Sequence, residues 1–132
     1  MLASLLGELG FEEAADAQTV NWVMSHPEIE IFVAVDPQDR AVAMAAFSHR
    51  PQLRLRGRVA TVEEMIVSEP YRRKGVGRAL LQRLVERTRS LSVKRVELHS
   101  HLAAGDPGAR PFFQACGFEC VAGEVFSLTP AA

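Results

Sequence analysis

A chain of 132 residues suits one compact domain, 1–132, and is too short for two comfortable ones. Its composition, 48% apolar and 23% charged, is that of an ordinary soluble globular domain, and its longest apolar runs, such as 41–47, fall far short of the roughly 20 residues a membrane span needs. A formal net charge of −1 and an aromatic content of 7% argue against a nucleic-acid surface, which calls for a basic chain with interleaved aromatics.

Leu2, Leu5, Leu6 and Leu9 fall at helical spacing before Gly10 and predict a short first helix. Nothing in this start resembles the basic opening of a secretory signal, so a cytoplasmic protein is expected. Glu12 to Ser25 predicts a second helix, with Ala14, Ala15, Val20, Trp22 and Val23 on its buried side and Pro27 as its stop. Ile29 to Val35 and Ala41 to Ser48 read as the two strands of a hairpin turning at 36–39. The basic connection Arg50 to Arg58 alternates Leu53 and Leu55 with arginines, a pattern that can extend both flanking strands.

Val59 to Val67 reads as a buried strand with two polar intruders, Glu63 and Glu64. Ser68 to Lys74 is a loop, and Gly75 to Leu91 is the strongest helix, striped by Val76, Leu80, Leu84 and Thr88 and widened by Leu81 and Val85. A strand over Val93–Leu98, a loop over Ala103–Gly108, a helix over Ala109–Cys116 closed by Gly117, and strands over Phe118–Val121 and Glu124–Leu128 complete the chain. The order predicts a mixed sheet with helices packed on it.

The charges are unevenly spread. Residues 1–49 hold eight acids and the single base Arg40, whereas 50–95 hold thirteen of the fifteen Lys and Arg, which suggests an anionic ligand. The segment Arg72-Arg73-Lys74-Gly75-Val76-Gly77-Arg78 lies between a strand and a helix start, where unpaired amides and partial positive charge attract anionic oxygens. Gly75 and Gly77 remove side chains that would hold a diphosphate away from the backbone. A P-loop would need Gly-Lys-Ser/Thr, but Gly77 is followed by Arg78-Ala79; a Rossmann turn would need a third glycine where Leu80 stands. A plain strand-to-helix turn with solvated arginines remains open on these residues alone. Cys116 and Cys120 have no zinc-pair spacing and no histidine half-site, so no metal is expected and both read as buried reduced thiols.

Arg72-x-x-Gly75-x-Gly77 resembles the Arg/Gln-x-x-Gly-x-Gly/Ala signature of the GNAT superfamily of N-acetyltransferases. Val62–Val67 resembles its central strand, 68–71 its strand-to-loop link, and Ala109–Phe118 its Ala-x-x-Phe-Tyr-x-x-x-Gly-Phe segment. The resemblance covers about residues 28–128. It implies an α/β (α+β) fold with a mixed, largely antiparallel central sheet of six to seven strands and about four helices. The family usually opens with a strand, and this chain opens almost at a helix, which implies a sheet without its first edge strand or an edge covered by a partner subunit, as in a homodimer.

The resemblance also implies acetyl-CoA as co-substrate and a small-molecule or peptide amine as acceptor, seated among the first two helices, the Arg50–Arg58 connection and the last hairpin. The pantetheine arm would pair with the backbone of Met65, Ile66 and Val67, the Val67 amide would stabilise the oxyanion, amides from Arg73 to Arg78 would hold the diphosphate, and Asp106 would touch the pantetheine. Relatives often place a carboxylate base on the central strand, which points to Glu63 or Glu64. Glu63 is favoured because simple alternation puts it on the face of Met65 and Val67, provided that no bulge intervenes. Otherwise one glutamate faces solvent and the other pairs with an arginine such as Arg56 or Arg58. Where many relatives carry the tyrosine that protonates the leaving thiolate, this chain has Phe113, which lines the cofactor but has no proton to give.

Overall fold

The computed structural model describes residues 17–99, 108–121 and 126–130. Among these, the elements are helix α1 (Ala17–Met24), strands β1 (Ile29–Val35), β2 (Ala41–Gln52) and β3 (Gly57–Val67), helix α2 (Val76–Ser90), strand β4 (Val93–Leu98) and helix α3 (Ala109–Ala115). The strands form one sheet in the order β1-β2-β3-β4, antiparallel up to β3 and parallel between β3 and β4. The architecture is thus a mixed, largely antiparallel sheet with helices packed on it. The described residues hold four strands and three α-helices rather than six to seven strands and about four helices. The predicted strands over 118–121 and 124–128 are not strands where they are described, and the predicted first helix lies outside the described residues.

β2 is the spine of the sheet because both its faces are covered. On one face Ala43, Ala45 and Phe47 join Ala60 and Val62 of β3, Leu80, Leu81 and Leu84 of α2, and Ala109 and Phe113 of α3. On the other, Met44 and Ala46 join Ile66 of β3, with Val20 of α1 and Ile31 and Val33 of β1 packed against them. Two-sided burial explains the unbroken apolar run 41–47, and the alanines let the layers approach. Leu80, Leu81, Leu84 and Thr88 form the buried stripe of α2, and the Thr88 hydroxyl is satisfied by donating to the Val85 carbonyl at 2.6 Å. Val85 is only half-buried. Trp22, expected on the buried side of its helix, is 65% exposed and meets His26 edge-on.

The arginine-rich connection continues the strands, as its alternation allows, with β2 reaching Gln52 and β3 starting at Gly57. At the same end, Glu30 of β1 takes two hydrogen bonds from Arg87 of α2, at 2.7 and 3.1 Å, and Arg58 of β3 donates to Nδ1 of the buried His49 at 3.2 Å. The Arg87–Glu30 pair ties the late turns of α2 to the sheet.

The β1–β2 turn is organised by Asp36. Its carboxylate accepts from the amides of Arg40 and Gln38, both at 2.9 Å, and from Nε of Arg40 at 2.8 Å. The Arg40 amide first, then its side chain, holds the carboxyl below its ordinary range. A carboxyl depressed in the folded state stabilises above its unfolded value of about 3.9 and loses that contribution as pH falls toward the folded value. The stability gap between wild type and Asp36→Asn is therefore expected to stay level above about pH 5 and to shrink below about pH 4, as read by urea unfolding across pH. Leu84→Ala, at a side chain with 0% exposure, is expected to cost about 2–5 kcal/mol in the same assay.

Candidate active site

β3 and β4 run together only from Arg58↔Val93 to Val62↔Leu98, while β3 continues to Val67. Past Val62, β3 therefore has no partner strand on its β4 side among the described residues. Backbone alternation decides which groups face that edge. Ser68 donates its amide to the Val42 carbonyl at 2.8 Å, so Ser68, Ile66 and Glu64 turn their backbone groups toward β2. Those of Val67 and Met65 face the other way, into the opening. The Val67 carbonyl agrees with this assignment, because it accepts from Nε of Arg72 at 3.0 Å rather than from a strand.

The opening coincides with a bulge. Ala46 pairs with Glu64 and Phe47 with Val62, which leaves Glu63 as the extra residue of β3. The alternation that would put Glu63 on the face of Met65 and Val67 is broken there. Met65, Val67 and Val62 pack with the α2 cluster, whereas the Glu63 carboxylate accepts from the Ser48 hydroxyl at 2.7 Å. Ser48 follows Phe47, so it points to the opposite face, the one that carries Ala46 and Ile66. Glu64, paired with Ala46 and two residues before Ile66, lies on that face too. Glu63 forms no ion pair with Arg56 or Arg58 among the described residues. The expected choice between Glu63 and Glu64 by face thus dissolves: one bulge puts both carboxylates on the α1 side of the opening.

Beyond Val67 the chain passes through a 3-10 turn, Glu69–Tyr71, into α2. The Arg72 amide donates to Glu69 at 3.2 Å, and the Ala79 amide makes the first intrahelical bond, to Gly75 at 3.0 Å. Between them, the amides of Arg73, Lys74, Gly75, Val76, Gly77 and Arg78 make no backbone hydrogen bond among the described residues. Left-handed backbone at Arg73 (φ 60°) and Gly75 (φ 82°) curls this run, the kind of turn in which consecutive amides converge on an anion. The α2 dipole adds to the attraction. Lys74 rests 5.8 Å over the Tyr71 ring, and Arg72 is committed through Nε to the Val67 carbonyl, so it closes the loop as well as adding charge.

The two glycines have different reasons. Gly75 occupies the left-handed N-cap of α2 with nothing within 4 Å of an added Cβ, so its constraint is conformational. At Gly77 an added Cβ would lie 3.2 Å from Met65 Cε and 3.4 Å from Phe112 Cζ and Val67 Cγ2. Gly77 therefore lets α2 sit close to β3 and α3, a packing role absent from the sequence-level reading. The same contacts bring Phe112 to the loop. Phe113 instead is 6% exposed in the core, against Phe112 and Phe118.

Gly117 (φ 98°) and Phe118 close α3 by donating to Gln114 and Phe113, both at 3.0 Å, and the Phe118 ring packs on Phe113. This is a Schellman closure, and it accounts for the Gly-Phe pair. Cys116 lines a cleft of about 440 Å³ between α2 and α3 with Arg78, Leu81, Gln82 and Val85 among its walls. Burial pushes its thiol up and outweighs the nearby Arg78, so it is no activated nucleophile. Cys120 is exposed, contrary to the expected burial of both thiols. Asp106 lies outside the described residues. Among the described residues, no group of three or more His, Cys, Asp or Glu could hold a metal ion, and no helix is long and apolar enough to cross a membrane.

Gly75→Ala is expected to lower stability by about 1–2 kcal/mol, the cost of a Cβ in left-handed backbone, measured by urea unfolding.

Residues 4–118 match the family model described as acetyltransferase (GNAT) family. No match was found among curated proteins. Among solved structures, an acetyltransferase of Trypanosoma brucei aligns over 96% of this chain and 89% of its own, with 23% identity and a TM-score of 0.77. Glucosamine-6-phosphate N-acetyltransferase of Arabidopsis thaliana aligns over 97% and 88%, at 19% identity and TM-score 0.75. An aminoglycoside 6'-N-acetyltransferase of Acinetobacter haemolyticus aligns over 99% and 91%, at 17% identity and TM-score 0.78. These likenesses share the fold, and the family model covers most of the sequence: the chain belongs to the GNAT acetyltransferase family.

Proposed function

We propose that this protein is an acetyl-CoA-dependent N-acetyltransferase that moves an acetyl group to a primary amine by direct attack in a ternary complex. The observation that carries the reading is the continuity of two features: among the described residues, the β3 edge at Met65 and Val67 has no partner strand, and the amides from Arg73 to Arg78 make no backbone hydrogen bond. A pantetheine arm has amides that can complete the edge as a strand would, and a diphosphate suits the loop. Two structural neighbours are N-acetyltransferases by name, which supports an amine as acceptor.

In this mechanism the thioester carbonyl lies against the Val67 amide, which stabilises the oxyanion as the amine nitrogen attacks. Glu63 or Glu64 takes the amine proton, directly or through a water, from the α1 side of the opening. The new N–C bond forms, the C–S bond breaks, and CoA leaves as the thiolate. Phe113 can supply no proton and is buried in the core. A thiol with pKa about 8.5 is nevertheless a tolerable leaving group near neutrality, so the missing acid costs up to the roughly 10²–10⁴-fold that general-acid catalysis contributes.

The phenylalanine also favours a second reading, a GNAT-like domain that binds acyl-CoA without turning it over. Thiol release from acetyl-CoA with a panel of amines separates the two: saturable binding with no acceptor-dependent release establishes the second and rules out the first. With turnover, Glu63→Gln or Glu64→Gln is expected to lower kcat/KM by about 10²–10⁴-fold and to remove the acidic limb of its pH profile. If neither substitution does so, the base has been misassigned.

A further inference from the structure

The α1-side face of β2 and β3 carries a second, unused charge. Ser48 of β2 and Thr61 of β3 sit directly opposite each other. The Ser48 hydroxyl donates to the Glu63 carboxylate at 2.7 Å, and the Arg50 guanidinium donates to the Thr61 hydroxyl at 3.2 Å. A carboxylate and a guanidinium are thus anchored on paired neighbours, yet they form no ion pair, and neither has another charged partner among the described residues. Both are exposed. The neighbouring Arg58 is turned to the other face, where it binds His49. Residues directly opposite in an antiparallel pair are about 4.5–5.5 Å apart, so the two head groups stand within roughly 10 Å of each other.

We infer that this pair reads an acceptor carrying both charges: a short amino acid whose amine is received by Glu63 beside the opening and whose carboxylate is held by Arg50. Two hydrogen-bonding lengths of about 3 Å taken from that upper limit leave at most about 4 Å for the ligand, which restricts it to an amine and a carboxylate separated by roughly one to three carbons. Arg50 suits the role because its planar fork binds a carboxylate through two parallel hydrogen bonds. The surrounding hydroxyls fix the positions of both heads without neutralising either one. The inference rests on the transferase reading and adds the class of acceptor to it.

The test compares glycine, β-alanine and 4-aminobutyrate with their carboxamides, glycinamide, β-alaninamide and 4-aminobutyramide, in the thiol-release assay. At least one acid is expected to exceed its amide in kcat/KM by about 10–100-fold, the usual range for a hydrogen bond to a charged group. In Arg50→Gln that ratio is expected to fall close to one, and in Arg50→Lys to be partly kept. Equal use of acids and amides, a preference for the amides, or a ratio unchanged in Arg50→Gln overturns the inference and leaves the transferase reading standing. Release with none of these acids or amides but with other amines, such as spermidine or glucosamine 6-phosphate, does the same. Release with no amine at all overturns both.

Discussion

The parting of β4 from β3 after Val62 is the constraint on which the rest of the structure depends. A parallel pair that continued to Val67 would satisfy the backbone of Met65 and Val67 and leave nothing for a ligand. The pair stops where the bulge at Glu63 interrupts the β2–β3 register, and a bulge bends and twists the strand that carries it. Because one residue is inserted, Val62 and Met65 share a face although they stand three apart, and both glutamates face the other side. A single irregularity therefore coincides with the end of the β3–β4 pairing and sets the backbone of Met65 and Val67 beside two carboxylates on the opposite face.

That opening is kept in place by burial elsewhere. The alanines of β2 let α2 settle on the sheet, Gly77 lets its first turn approach Met65, Val67 and Phe112, and Arg87 binds Glu30 near its far end. Held at both ends, α2 presents its unbonded amides at the tip of β3 rather than to bulk solvent at large. Orphan amides at a helix start are ordinarily met by water or a capping side chain; here Gly75 has no side chain to offer. The guanidinium of Arg72, tied to the Val67 carbonyl, links the strand edge and the loop into one surface.

The polar residues on the α1 side complete a division of labour across the sheet. The α2 face is apolar from Ala43 to Phe47 and carries the packing. The opposite face changes from the apolar Met44, Ala46 and Ile66 to Glu64, Glu63, Ser48, Thr61 and Arg50 along the same strands. A solvent-facing β-surface would normally pair opposite charges; here Glu63 and Arg50 are each held by a hydroxyl, Ser48 and Thr61, instead.

By itself the sequence determined what local sterics and periodicity control. The stripe Leu80, Leu84, Thr88 marked α2, the alternating connection allowed the long β2 and β3, the β4 range was read to the residue, and Gly117-Phe118 marked the end of α3. The shape of the loop was legible for the same reason, since Gly75 marks a left-handed entry into a helix. Tertiary structure decided what depends on partners distant in the chain. The bulge at Glu63 exists only relative to β2, so alternation along β3 misplaced that carboxylate. At Gly77, read as room for a diphosphate, the structure adds a close contact between three elements. Phe113, read as a cofactor residue from its place in a motif, is buried, because the turn of α3 that brings Phe112 to the loop points its neighbour into the core. Cross-strand register and helix-on-sheet docking set these outcomes, and neither is a property of any short stretch of residues.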